Sequence, residues 1–193
     1  MNTKFILLVG QTCTGKDTLL KKINKKIKSN IIINITTRPK RNDKEDTYNF
    51  INEKMYNYYL NNNYIIESYM YNNWYYATLK SSIHDNAVNI TALSIERINL
   101  FYNYLENNNL LNDTLVIYLT CPEQIRLKRY INRLKRTNQI NLESFSEMVR
   151  RFNAEKTQYQ VPLKDFPNIL YIDTSITKYS QIIKQIKYFI KGR

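Results

Sequence analysis

Lys4-Phe5-Ile6-Leu7-Leu8-Val9-Gly10-Gln11-Thr12-Cys13-Thr14-Gly15-Lys16-Asp17-Thr18 is the stretch whose reading decides the fold. Its apolar start, Phe5–Val9, predicts a buried strand, and the Leu19-Leu20-Lys21-Lys22-Ile23 that follows predicts a helix. Strand, glycine loop and helix start in that order form the setting of a phosphate-binding loop. Gly10 and Gly15 let the loop turn its backbone N–H groups toward a phosphate, across Thr12, Cys13 and Thr14. The helix N-terminus adds partial positive charge there, and Lys16 is placed to reach the β- and γ-phosphates. The whole chain has three glycines, and two of them are in this loop. The residue after the lysine is usually Ser or Thr, whose hydroxyl holds Mg²⁺. Here it is Asp17, with Thr18 next. A carboxylate is also a hard oxygen ligand, and it equally suits a helix start, where negative charge is favourable. Asp17 is therefore the candidate metal ligand, with helix capping as the alternative.

Outward from the loop, the composition sets bounds. A chain of 193 residues suits one domain with a sizeable core. No stretch is apolar for long enough to span a membrane, and the chain enters a strand directly, without the pattern of a secretory signal. Cys13 and Cys121 are too few for a disulfide framework, which predicts reduced thiols and a cytoplasmic location. Cys13, beside loop amides and Lys16, is expected to have a lowered thiol pKa and to be reactive. His84 is the only histidine, which excludes a histidine-based metal centre or triad. The net charge of +13 suggests polyanionic partners. Nucleic acid and nucleotide phosphates are both candidates; the abundance of Asn, Ile, Lys and Tyr is what an AT-rich genome produces, so the charge is discounted as evidence for nucleic acid.

Apolar runs then alternate with helical patterns. Strands are predicted at Phe5–Val9, Ile31–Ile35, Ala87–Leu93, Leu115–Thr120 and Ile169–Ile172. Helices are predicted at Lys16–Ile27, Ser94–Leu105, Pro122–Leu134, Leu142–Thr157 and Tyr179–Ile190. This alternation predicts an α/β fold with a mainly parallel sheet and helices on both faces. Residues 36–80 break the rhythm with aromatic runs around a helix-like Glu53–Leu60, which reads as an inserted substrate lobe.

That lobe carries a second constellation. Thr36-Thr37-Arg38-Pro39-Lys40-Arg41 is followed by Tyr48, Glu67 and Trp74-Tyr75-Tyr76-Ala77-Thr78. Two arginines three apart, with tyrosines nearby, can grip one phosphate, and a carboxylate such as Glu67 can accept hydrogen bonds from a base edge. A phosphate loop facing a second phosphate grip implies two nucleotides meeting for phosphoryl transfer, which needs positioning and charge neutralisation.

With both constellations quoted, the chain resembles the guanylate kinase family, nearly from end to end. The resemblance implies a P-loop nucleoside monophosphate kinase-like α/β fold. It would be one domain over 1–193, with core 1–35, 81–125 and 158–193, an inserted GMP-binding lobe 36–80 and a helical lid at about 126–157. Arg38, Arg41, Tyr48 and Tyr76 match the family's GMP-phosphate ligands, Glu67 its guanine-reading glutamate and Thr78 its guanine-contacting hydroxyl. Asn34 stands where a serine often touches the base. Arg129 and Arg133 match lid arginines, and Arg151 matches the phosphate-facing arginine of the returning helix. Lys16, Arg38, Arg133 and Arg151 are the implied catalytic residues. The loop residues Gly10, Thr12 to Thr18 and Arg129 would bind ATP, with Mg²⁺ as the second cofactor. The family's strand-end Asp-x-Asp is here Asn89-Ile90-Thr91, which leaves Asn89 and Thr91 as the implied substrate contacts. Asp17 would restore the charge near the metal. The implied activity is transfer from ATP to GMP or dGMP. A ribose-bisphosphate phosphokinase-like kinase and a catalytically weak binding module are the alternatives.

Overall fold

The computed structural model describes residues 2–40, 43 and 45–192. Lys4–Gly10 forms β1, and Lys16–Lys26 forms α1. Strand β1 alternates as the two-residue period requires. Ile6 and Leu8 go to one face, and Phe5, Leu7 and Val9 go to the other; all five are fully buried. A strand apolar on both faces belongs in the middle of a covered parallel sheet, and that is where β1 lies.

Five parallel strands make this sheet. They are β1, β2 (Asn30–Ile31), β7 (Val88–Ala92), β8 (Thr114–Thr120) and β9 (Ile169–Asp173), in the order β2-β7-β1-β8-β9. One face packs against α1 and the C-terminal helix α6 (Tyr179–Lys191), through Leu19, Ile23, Ile182 and Ile186. The other face packs against α3 (Ile95–Asn107), through Ile98, Phe101 and Leu105.

A second sheet orders β4 (Asn49–Phe50), β3 (Ile35–Thr36), β6 (Trp74–Leu79) and β5 (Ile65–Tyr71), in that sequence. With α2 (Glu53–Asn61) it encloses a small core of Ile35, Tyr56 and Ala77. The expected single strand Ile31–Ile35 is divided here. Residues 30 and 31 pair with β7, whereas residues 35 and 36 pair with β4 and β6. The chain changes sheet between them, so one apolar run serves two sheets. Two helices, α4 (Glu123–Thr137) and α5 (Leu142–Gln158), pack through Tyr130, Leu134 and Phe152 and reach Cys13 in the loop after β1. Among the described residues no helix is long and apolar enough to cross a membrane.

Candidate active site

The loop after β1 owes its shape to its glycines. Gly10 has φ +153°, and a side-chain carbon there would collide with the Leu119 carbonyl. Gly15 caps α1 at φ +102°, with the Tyr179 hydroxyl where a Cβ would press. Lys16 folds back over the loop, and its Nζ donates to the carbonyls of Gly10 and Gln11. Burial lowers the Lys16 pKa, and the Asp17 and Glu155 carboxylates oppose that. Thr14 is fully buried and donates its hydroxyl to the Gln11 carbonyl at 2.8 Å.

Above this loop opens a cleft of about 530 Å³, a size that suits a small ligand. The loop contributes Gly10, Thr12, Lys16 and Asp17 to its wall. The segment between β3 and β4 contributes Arg38 and Tyr48, β6 contributes Tyr76, and α5 contributes Glu147, Arg150, Arg151 and Glu155. Arg38 forms a forked pair with Glu45, at 2.6 and 3.3 Å, and Tyr48 and Tyr76 meet edge to face at 5.7 Å. Arg41 lies outside the described residues. Glu147 accepts from Arg150 and Arg151, each at 2.6 Å, and Arg150 also donates to the Tyr71 hydroxyl. Partial burial pushes the Glu147 carboxyl up, but these hydrogen bonds outweigh it and hold its pKa at about 2 instead of 4.5. A depressed carboxylate stabilises the fold above its unfolded pKa, so this contribution is full above about pH 4.5 and vanishes as pH falls through about 2. Carbon-detected NMR of the Glu147 carboxyl should show that late titration; a midpoint near 4.5 would mean the fork is absent in solution.

Several residues implied by the sequence are placed elsewhere. Arg129 lies behind the loop and donates to the Cys13 carbonyl at 3.2 Å and to Thr174, so it ties the loop to the end of β9. Arg133 is exposed and stacks on Tyr130 at 4.5 Å. Thr18 is exposed and does not line the cleft. Asn89 is a correction to the expected substrate contact. It is fully buried at the start of β7, opposite Phe5, roughly 16 Å of strand below Gly10. Its amide accepts from Asn30 and the His84 N–H and donates to the His84 carbonyl, which closes a turn. It therefore cannot share an ion with Asp17. The Asp17 side chain makes no hydrogen bond among the described residues and borders the cleft, and no side chain caps the start of α1.

Cys13 also departs from expectation. Burial raises its thiol pKa, against the lowering effects of Arg133, Lys16 and Arg151. Its contacts with the apolar cluster under α4 and α5 supply that burial. Alkylation by iodoacetamide at pH 8 should be slower for Cys13 in the native protein than for a free peptide thiol. Peptide mapping that shows faster labelling would restore the reactive-thiol reading.

Asn34, Glu67, Thr78 and Thr91 are brought together, all buried. Thr78 Oγ1 lies 2.6 Å from both Asn34 Oδ1 and Glu67 Oε1, and Asn34 donates to Thr91 at 3.1 Å. The sequence reading missed their centre, Arg97 of α3. Its Nε lies 3.1 and 3.0 Å from the two Glu67 oxygens, and its Nη2 reaches Glu67, Thr78 and Asn34. Burial lowers the Arg97 pKa, but Glu67 overrides this and leaves it raised. A signal was available: Arg97 is one turn before Phe101 on the helix face that carries Phe101 and Leu105, and a cation there needs a buried partner. Glu155 was missed as well. It accepts from the Thr12 N–H at 2.5 Å and from buried Arg126 at 2.8 Å, and so joins α5 both to the loop after β1 and to α4.

A family model described as guanylate kinase matches residues 2–187. No curated protein matches the chain in sequence. Among solved structures, the guanylate kinase from Anaplasma phagocytophilum is similar, with a TM-score of 0.57 and 13% identity, covering 99% of this chain and 86% of that one. The protein APE1195 has the same TM-score and identity, covering 99% and 96%. At such identity the structural likeness concerns the fold.

Proposed function

We propose a function from the premise that the chain belongs to the guanylate kinase family: it transfers the terminal phosphoryl group of ATP to a nucleoside monophosphate, GMP or dGMP being the acceptor that the resemblance implies. The observation that carries this reading is one cleft bordered by Lys16 and its loop on one wall and by Arg38, Tyr48 and Tyr76 on another. The loop would hold the ATP phosphates on backbone N–H groups and the helix start. The acceptor phosphate would displace the Glu45 carboxylate from the Arg38 fork, exchanging one forked anion for another. Arg150 and Arg151 would offset the charge that develops between the two phosphates. Helices α4 and α5 would form the lid, residues 36–80 the acceptor lobe, and the whole chain one cytoplasmic domain.

Mg²⁺ fits this site, because Asp17 offers a carboxylate with no hydrogen bond of its own among the described residues, at the cleft edge beside Lys16. No group of three or more His, Cys, Asp or Glu among the described residues could hold a metal alone. The ion would thus take most of its oxygens from phosphate and water, as Mg²⁺ does. Bound there, it would supply charge neutralisation to the transferring phosphate. A coupled ADP-release assay with ATP, Mg²⁺ and a panel of nucleoside monophosphates and ribose bisphosphate tests the reading. ADP release that depends on a monophosphate supports it, and release indifferent to every acceptor rejects it.

A further inference from the structure

The residues suited to reading a guanine are all buried behind one side chain. A guanine edge offers a carboxylate two adjacent N–H donors, and a guanidinium offers the same pair from a similar planar fork. Arg97 already presents that pair to Glu67 from within the chain. The Glu67 side chain is 1% exposed and the Arg97 side chain 4%. Glu67, Thr78, Asn34 and Thr91 do not border the cleft, whereas Arg97 does. Its Nη1 makes no hydrogen bond among the described residues, so the group that meets an incoming base is a cationic donor and not a carboxylate. With Nε and Nη2 engaged, one donor is left, and an acceptor on any base can take it, guanine O6 or N7 included; the guanine N–H donors find no carboxylate.

The same wall carries aromatic side chains. Tyr48, Tyr69, Tyr71, Trp74 and Tyr76 line the cleft, each partly exposed. Every base has a π-face, so stacking on such rings tolerates any base. A guanine that took Arg97's place would pair Glu67 but leave the Arg97 guanidinium without its carboxylate, and breaking a buried pair costs several kcal/mol. Ligand binding must therefore work around the pair.

We infer that Arg97 fills the base-reading pocket in place of guanine, so that the acceptor site takes nucleoside monophosphates by phosphate and stacking, without selecting guanine. The inference rests on the phosphotransferase reading only for the location of the acceptor. Arg97 is a specificity-determining residue in this account.

The test measures equilibrium binding of GMP, AMP, CMP, UMP and ribose 5-phosphate to the full chain by isothermal titration, beside ADP release with each. The expected result is a spread within about tenfold among the four nucleotides, with ribose 5-phosphate weaker than all of them. Arg97→Ala exposes Glu67 and should give GMP a preference of roughly a hundredfold, the scale of one good bidentate base contact. If that variant does not fold, the wild-type affinities still decide. A preference for GMP of a hundredfold or more in the wild type overturns the inference and leaves the kinase reading standing. Ribose 5-phosphate binding as tightly as the nucleotides overturns it as well, because stacking then contributes nothing. Even nucleotide binding without any ADP release rejects the kinase reading and supports the inference. No binding of any monophosphate rejects both.

Discussion

Replacing Lys16 with alanine should lower phosphoryl transfer by about 10³-fold or more, the order seen for single cationic side chains that neutralise a transferring phosphate. The structure gives two reasons for so large an effect. Lys16 is the loop's own cation, and it already stands over the Gly10 and Gln11 carbonyls at the floor of the cleft. Its pKa is lowered by burial, so the ammonium is poorly solvated and has most to gain from a phosphate. The fold should survive, because Gly10, one of the two carbonyl residues it leaves behind, borders a cleft that water can enter. Single-turnover rates with ATP and Mg²⁺, beside circular dichroism of the same preparation, separate chemistry from folding. A folded Lys16→Ala protein with near-normal turnover would remove the phosphate loop from the mechanism.

The second large effect concerns stability. Glu155→Ala should cost about 3–5 kcal/mol, because it leaves a buried cation unpaired. The Arg126 side chain is 3% exposed, its Nη1 is 2.8 Å from Glu155, and its Cζ lies 4.7 Å from the Phe152 ring centroid. Without the carboxylate, that guanidinium keeps Glu123 at 3.7 Å, on a side chain 53% exposed and therefore weak. The Thr12 N–H loses its acceptor in the same substitution. Urea denaturation of both proteins measures the difference. Pairing Glu155→Leu with Arg126→Met should recover most of the loss, since no charge then stays buried. A single-variant loss under about 1 kcal/mol would show that Arg126 finds other partners, and the link between α5 and the loop would not be structural.

Much of the architecture was legible in the linear pattern. The five core helices lie within three residues of their predicted bounds, as do four of the five strands. Apolar period encodes which face of an element is buried, and it does so locally. The strand–loop–helix unit at residues 4–26 was legible for the same reason, since strand, glycines, lysine and helix are contiguous and each implies its neighbour. The run Ile31–Ile35 was misread because period cannot say which sheet a strand joins.

The site depends on pairs that are distant in the chain. Asn89 looked like a substrate contact by its place near a strand end, yet its level in the sheet is set by pairing with Phe5 and by the turn at His84. Cys13 looked reactive from its neighbours in the loop, and helices more than a hundred residues away bury it and reverse the sign. Arg97 and Glu67 are 30 residues apart, and Glu155 and Thr12 are 143 apart. A single sequence states that a buried cation needs a counter-charge, because desolvation is a property of one residue on one face. Which carboxylate answers it depends on where two elements meet, and only the packing of α3 on β5, and of α5 over the loop, decides that.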